Sequence, residues 1–325
     1  MQQISHLFSA PLICFLFGLI LTFFTNRFRF KDFFLRALTI LILFEIGFKG
    51  GAPLVDSLLG SAQIFARLLG FLICWGFIQP FLSFYLLSSF TKVDKATCAA
   101  ISASFGSISV MTMIAAFSFL EQIQVQYDPA IFAILAIMEI PAIFSGLFLA
   151  KWYCKDDSFD VNSTSFKKII WESIMNKVMI ALIGGLILGS ILSYFHISIF
   201  NKYALLSFKP LLCLFLFEMG RIVSSQRTQL KVFSFSLICF GLYMPLLGAA
   251  AGLFFSHILN LNVGDTTLIT VLLASASYIA VPVAMKIALP TAKEAVYLPL
   301  SLGIAFPFNV LIGIPLYYTL AHQFV

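Results

Sequence analysis

The sequence predicts an all-α polytopic membrane protein whose ten transmembrane helices form two inverted five-helix repeats, with helices 4 and 9 interrupted. The chain is 61% hydrophobic and 10% charged, with a mean hydropathy of +1.01, whereas soluble domains average roughly 25% charged residues. Apolar runs long enough to cross a bilayer core of about 30 Å recur along the whole chain. Two of these runs carry similar clusters of small hydroxyl residues, which lie 168 residues apart.

The ten apolar segments cover most of the chain. They lie approximately at 7–25, 33–55, 62–88, 97–119, 130–153, 176–196, 203–221, 232–258, 266–288 and 298–321. A helix suits each segment because it satisfies its own backbone hydrogen bonds where water is absent. No basic stretch precedes the first segment and no small-residue cleavage motif follows it, so we interpret it as a retained span rather than a signal peptide.

Lysine and arginine concentrate in alternate connections between the segments. The connections 1–2, 3–4, 5–6, 7–8 and 9–10 are basic, whereas the others carry mainly Asp56, Glu121, Asp128 and Asp265. The positive-inside rule therefore places the basic connections in the cytoplasm and both termini outside. We expect a multi-pass protein of the bacterial cytoplasmic (inner) membrane, surrounded by lipid. The net charge of +6 follows from these loops and does not indicate nucleic-acid binding.

A polar linker divides the chain near its middle. It gives a first five-helix repeat at 1–153, a cytoplasmic linker with an interfacial helix at 154–175, and a second repeat at 176–325. In residues 166–175, charged residues alternate with bulky apolar residues at helical spacing, which is typical of a helix at the membrane surface.

The two halves share short motifs in the same order. Phe44-Glu-Ile-Gly47 returns as Phe217-Glu-Met-Gly220, Gly18 matches Gly189, and Pro141 matches Pro307, at offsets between 166 and 173 residues. Because each half has five spans, an odd number, the second half must insert upside down relative to the first. Inverted repeats of this kind are typical of secondary carriers.

The hydroxyl clusters at 104–112 and 274–282 are the candidate substrate site. An interrupted helix places backbone N–H groups and a partly positive helix N-terminus inside the membrane, which suits an anion. We predict that a small oxyanion, or Na⁺, binds Gly106, Ser107, Ser109, Thr112, Ser275 and Ser277. Pro282 is expected to break segment 9. The alternative interpretation is that these small residues only allow helices to pack closely.

Ionisable residues inside spans are expensive and so require an explanation. Glu139 precedes Ile140-Pro141, and the proline frees backbone carbonyls one turn earlier, so Glu139 is a candidate ion-coupling residue. Ser277, whose hydroxyl can help to bind Na⁺, is the other candidate. The alternative for Glu139 is a structural hydrogen bond between helices. Lys49 lies one turn from Glu45 and is followed by two glycines that allow a close backbone approach. Glu218, near Arg221, is expected to form a local ion pair.

Nothing in the sequence indicates an enzyme. It has no nucleotide-binding loop, no HExxH motif and no Ser-His-Asp arrangement. The six cysteines are scattered without a CxxC spacing, so we expect neither a disulfide framework nor a structural metal site. No cofactor is predicted, apart from Na⁺ as a possible coupling ion.

Four stretches resemble motifs of the sodium-dependent bicarbonate transporter family, of the SbtA type. They are Ile46-Gly-Phe-Lys-Gly-Gly51, Phe105-Gly-Ser-Ile-Ser-Val-Met-Thr-Met113, Met138-Glu-Ile-Pro-Ala142 and Ala274-Ser-Ala-Ser-Tyr-Ile-Ala-Val-Pro282. The resemblance spans nearly the whole chain and implies ten spans in two inverted halves, a homotrimer and an elevator-like motion. It also implies Na⁺-coupled bicarbonate symport and a small PII-like cytoplasmic regulator.

The departures from the family pattern fall on the candidate site. Val110 and Met111 replace a glycine and a serine and narrow the space for an anion, and Tyr278 replaces an acidic residue. Loss of that carboxylate removes a strong oxygen ligand for a hard cation. Three alternatives to Na⁺-coupled symport therefore stay open: a carrier of another small anion, a transport-incompetent membrane sensor or scaffold, and a Na⁺/H⁺ antiporter that depends on Glu139.

Overall fold

The computed structural model describes residues 10–24, 32–60, 62–128, 131–153, 171, 177–195, 199–230 and 233–324. These residues form helices joined by short connections and include no strand. The helices are α1 (Ala10–Phe24), α2 (Asp32–Gly60), α3 (Ala62–Phe90), α4 (Lys95–Gly106), α5 (Val110–Gln122), α6 (Ile131–Tyr153), α7 (Lys177–Tyr194), α8 (Ile199–Ser225), α9 (Arg227–Leu230), α10 (Phe235–Ile258), α11 (Val263–Ala274), α12 (Ala280–Ala288) and α13 (Glu294–Phe324).

The predicted all-helical membrane protein is confirmed. Within the described ranges, four stretches are long and apolar enough to cross a membrane: Ala66–Phe90, Lys95–Gln122, Phe235–Ile258 and Glu294–Phe324. Each predicted segment coincides with one helix, except that segments 4 and 9 coincide with the pairs α4/α5 and α11/α12. Apart from Trp171, the predicted linker and interfacial helix at 154–175 lie outside the described residues.

Helices α2 and α7 form the most extensive helix contact among the described residues. Gly47 and Gly51 on α2 face Gly185 and Gly189 on α7, and a Cβ on any of the four would overlap a backbone carbonyl oxygen of the other helix. Small residues four apart allow helices in membranes to approach in this way. The close backbone approach predicted after Lys49 is confirmed at Gly51.

Helices α1 and α8 also pack through glycines that allow a close backbone approach. A Cβ at Gly18 would overlap the carbonyl oxygen of Phe217, and one at Gly220 would overlap that of Phe15. The sequence comparison had matched Gly18 with Gly189 and Gly47 with Gly220. The α1/α8 pair therefore uses the counterparts of the glycines that join α7 to α2.

The remaining long helices form a second group, in which α3 packs on α4 and α6 while α10 packs on α11 and α13. Gly106 of α4 lies against Pro80 of α3, and Gly248 of α10 lies against Ala274 of α11. The second contact joins the residues found 168 positions after those of the first. The two halves of this group therefore use equivalent contacts.

Connections between the helices also form equivalent contacts in the two halves, and the first of these lies at the start of α4. Asp94 caps α4 by accepting a hydrogen bond from the Thr97 N–H at 2.9 Å, and the Thr97 hydroxyl accepts one from the Lys293 N–H at 2.9 Å. Partial burial raises the pKa of Asp94, but hydrogen bonds from Thr97 and Lys293 outweigh it and hold the pKa below its ordinary value. The predicted cytoplasmic connections 3–4 and 9–10 thus contact each other.

The start of α11 shows the counterpart. Asn262 caps α11 by accepting from the Asp265 N–H at 2.8 Å, and the Asp265 carboxylate accepts from the Asp128 N–H at 2.6 Å. Asn262 and Asp265 follow Asp94 and Thr97 by 168 residues. Here the connections 4–5 and 8–9 meet, both of which were predicted to lie outside.

Glu218 and Lys49, two of the charges that the sequence places within spans, form ion pairs. The Arg221 guanidinium donates two hydrogen bonds to Glu218, at 2.8 and 2.9 Å, with both side chains buried, so the predicted local pair is confirmed. Lys49 lies 3.6 Å from Glu121 at the end of α5, and the Tyr127 hydroxyl donates to the same carboxylate at 3.2 Å.

Candidate functional site

The two interrupted helices cross each other. We call residues 107–109 and 275–279, where α4 gives way to α5 and α11 to α12, the crossover. The Ser109 N–H donates to the Ser275 hydroxyl at 2.8 Å, and the Ser277 N–H donates to the Ser104 carbonyl at 2.8 Å. These bonds hold the two non-helical stretches directly against each other.

Serine hydroxyls accept hydrogen bonds from N–H groups in the first turns of the second half-helices. The Ser109 hydroxyl caps α5 by accepting a hydrogen bond from the Thr112 N–H at 3.2 Å, and the Ser277 hydroxyl lies 3.4 Å from the Val281 N–H at the start of α12. Serine is favoured at such positions because its hydroxyl satisfies an N–H that has no partner within the helix.

Pro282 does not break a helix, so that prediction is wrong. It is the third residue of α12 and lies in its first turn. A proline is tolerated there because the first-turn N–H groups have no carbonyl partner inside the helix. The interruption lies before it, at 275–279.

Three buried hydroxyl groups at or next to the crossover have no hydrogen-bond partner within the described residues. They belong to Ser107, Thr112 and Tyr278, whose residues are 2%, 1% and 8% exposed. The Tyr278 hydroxyl lies near the Ser109 side chain but is not in hydrogen-bond geometry with it. An unsatisfied buried polar group costs about 1–3 kcal/mol, so each of the three needs an explanation such as a ligand.

Bulky apolar side chains lie next to the hydroxyls along the chain at the start of α5 and pack on the Tyr278 ring. Val110 and Met111 are buried in the hydrophobic core at the start of α5. The Tyr278 ring packs edge-to-face on Phe306 of α13, with ring centroids 5.3 Å apart. The residues next to these hydroxyls are therefore mainly apolar.

A glutamine that the sequence analysis passed over joins the ends of the first half-helices. The Gln79 amide nitrogen on α3 donates to the Phe105 carbonyl of α4 at 2.6 Å and to the Leu273 carbonyl of α11 at 3.1 Å. Its oxygen accepts from the Trp75 indole N–H at 2.6 Å. The one available signal was an amide within an apolar segment.

Asn309 of α13 donates a hydrogen bond to a third carbonyl at the end of a first half-helix. Its amide nitrogen donates to the Ala274 carbonyl at 3.0 Å, and its oxygen accepts from the Tyr317 hydroxyl at 2.9 Å. Asn309 and Tyr317 are buried. Carbonyls at a helix C-terminus lack partners within the helix, and here side-chain amides supply them.

The structure brings most of the predicted site residues together. Hydrogen bonds join Ser109 to Ser275 and Thr112, and the Ser277 backbone joins the same crossing. Ser107 lies in the crossover, and Gly106 ends α4 against Pro80. The side chain of Glu139 lies outside the described part of the structure.

Comparison with known proteins identifies a family for this chain. No curated protein matches the chain in sequence. The family model of the Na⁺-dependent bicarbonate transporter superfamily matches residues 11–322, which is almost the whole chain. The family resemblance seen in the four sequence motifs is confirmed. The chain therefore belongs to the Na⁺-dependent bicarbonate transporter superfamily, and so is a membrane transporter rather than an enzyme.

Proposed function

We propose that this protein is a secondary active transporter of a small anion, with bicarbonate as the first candidate, and that the anion binds at the crossover. The observation that carries the site is the group of buried hydroxyls of Ser107, Thr112 and Tyr278, which have no partner within the described residues. A small oxyanion can accept a hydrogen bond from each of them.

The electrostatics of the crossover favour an anion beside these hydroxyls. Both α5 and α12 begin there, and a helix N-terminus carries about half a positive charge with N–H groups that lack partners. Transporters commonly bind anionic groups at the ends of interrupted helices near the middle of the membrane.

The repeated contacts support an inverted-repeat arrangement of the halves 1–153 and 176–325. Pro80–Gly106 and Gly248–Ala274 are equivalent contacts, and the α1/α8 and α2/α7 pairs use matching glycines. We propose that α1, α2, α7 and α8 form a fixed scaffold and that the group containing the crossover moves against it, as in an elevator. The homotrimer and the PII-like regulator are proposals that rest on the family resemblance. The proposed outside position of both termini rests on the distribution of lysine and arginine between the connections, and the inner membrane is the location proposed for such a protein.

One observation favours a transport-incompetent sensor as the second candidate. Tyr278, Val110 and Met111 are bulky and buried at or next to the crossover, and a bound anion need not pass through such a site to be sensed. Both candidates predict anion binding, whereas a Na⁺/H⁺ antiporter that depends on Glu139 predicts none. The family's coupling ion is Na⁺, and the sequence leaves protons as the alternative.

The binding proposal is tested by thermal unfolding of the purified protein in detergent at fixed pH. We expect bicarbonate, but not chloride at equal ionic strength, to raise the unfolding temperature in a saturable way. A ligand at about 100 times its Kd adds about 2.7 kcal/mol to the free energy of unfolding. An unchanged unfolding temperature with bicarbonate would remove it as the substrate, and the same series with other small oxyanions shows whether any anion binds.

A further inference from the structure

The ends of α4 and α11 present the opposite electrostatics to the starts of α5 and α12. A helix C-terminus carries about half a negative charge on carbonyls without helical partners. In transporters with interrupted helices, such carbonyls coordinate the coupling cation. Here the Phe105, Leu273 and Ala274 carbonyls occupy these positions, and all three accept hydrogen bonds from side-chain amides.

The chemistry of Trp75 fixes the orientation of the Gln79 amide. An indole N–H can only donate a hydrogen bond, so the Gln79 atom 2.6 Å from it must be the oxygen. The amide nitrogen therefore faces the Phe105 and Leu273 carbonyls, and its two hydrogens match these two acceptors. Gln79 is 2% exposed, so water does not compete for these bonds.

A cation and this amide cannot share the position. Hard cations bind oxygen atoms, whereas Gln79 presents N–H groups, the positive end of its dipole, to the oxygens that would ligate the ion. The Asn309 nitrogen takes the next carbonyl, at Ala274. The position at which the family has a carboxylate holds Tyr278, so the strongest potential ligand is also missing.

We propose that the carboxamide of Gln79 takes the place of a coupling cation between the ends of α4 and α11, so that the crossover keeps its geometry without Na⁺. The inference rests on the proposed function and deepens it, because it separates this chain's anion binding from Na⁺. Anion binding at the crossover is then the same in Na⁺ as in an inert cation, and any coupling must use another ion.

Gln79→Glu tests this substitution of an amide for a cation. The variant replaces the amide nitrogen with a carboxylate oxygen. That oxygen and the Phe105 and Leu273 carbonyls give three oxygens and no donor when the side chain is ionised, while the other carboxylate oxygen faces Trp75. We measure unfolding temperatures in NaCl and in choline chloride, each with and without bicarbonate, at one pH above 7. The wild-type protein is expected to unfold at the same temperature in both salts. Gln79→Glu is expected to show a saturable rise with Na⁺ that choline does not give.

Gln79→Met is the matched control, since it keeps the length of the side chain but has neither donor nor charge. We expect it to unfold at a lower temperature than the wild-type protein by the same amount in both salts. A Na⁺-specific rise in the wild-type protein would overturn the inference, as would a folded Gln79→Glu protein that is indifferent to Na⁺.

The bicarbonate arms separate this inference from the proposed function. A bicarbonate shift of equal size in Na⁺ and choline supports both proposals. A shift that appears only in Na⁺ keeps the anion site and overturns the inference. If bicarbonate shifts the unfolding temperature in neither salt, the bicarbonate site is overturned. The unfolding temperatures in Na⁺ and choline without bicarbonate then test the Gln79 inference alone.

Discussion

Thr112→Val together with Ser107→Ala is expected to weaken bicarbonate binding at least ~100-fold without lowering the stability of the free protein. The two hydroxyls have no partner in the described residues, so removing them breaks no internal hydrogen bond. A hydrogen bond to a charged group contributes about 1.5–3 kcal/mol, and 1.4 kcal/mol is tenfold in affinity. Isothermal titration with bicarbonate measures the affinity, and thermal unfolding measures the stability.

The control for this pair is Thr22→Val with Ser225→Ala. The Thr22 hydroxyl is buried and donates to the Gly18 carbonyl at 3.0 Å, and the Ser225 hydroxyl is exposed at the end of α8. We expect the control to bind bicarbonate as the wild-type protein does. Unchanged affinity in the Thr112→Val, Ser107→Ala protein would place the anion elsewhere. A marked loss of its stability would show that the hydroxyls have a structural role.

Gly185→Ala is expected to destabilise the protein by about 3 kcal/mol or more, whereas Gly184→Ala next to it is not. A Cβ at Gly185 would overlap the carbonyl oxygen of Phe44, which is backbone and cannot rotate away, so α7 must move off α2. Overpacking typically costs about 1–3 kcal/mol and occasionally more. A Cβ at Gly184 meets nothing within 4 Å.

Because the two glycines are adjacent on one helix, the comparison cancels the effect of helix propensity. Alanine is favoured over glycine in a helix by about 1 kcal/mol, so Gly184→Ala is expected to unfold at the same temperature or slightly higher. Thermal unfolding of both variants in detergent provides the measurement. Equal unfolding temperatures would mean that α2 and α7 are not in backbone contact.

The interruptions of segments 4 and 9 could be predicted because they combine local and repeated signals. Serines favour helix starts, and the second cluster follows the first by 168 residues. Ser109 and Ser275, both predicted site residues, contact each other directly. Pro282 was misread because a proline in an apolar run indicates either a break or the first turn of a helix, and the surrounding residues do not decide between them.

The amide contacts could not be predicted from the sequence. Gln79 is a lone amide in an apolar run, and its partners are backbone carbonyls 26 and 194 residues away. Backbone carbonyls leave no signature in side-chain sequence. The glycine pairs on α2 and α7 do form a recognisable spacing, but that spacing does not identify which helix will face them. Long-range packing alone determines both sets of contacts.

Family resemblance predicted the class of protein, and it implies Na⁺ as the coupling ion, which stays a prediction. The match over residues 11–322 shows the superfamily, and its motifs place the crossover correctly. The chemistry at the cation position depends on Gln79, which lies outside those motifs, and on Tyr278, which departs from them. The driving ion of this chain therefore has to be argued from its own contacts.

Uptake of labelled bicarbonate into proteoliposomes tests the central claim most directly. We would compare the wild-type protein with the Thr112→Val, Ser107→Ala protein and with protein-free vesicles, using Na⁺ or choline as the external cation at fixed pH. The account predicts saturable uptake by the wild-type protein in both cations and little uptake by the variant. Equal uptake by both proteins, or none by folded wild-type protein, would contradict an anion carrier with its site at the crossover.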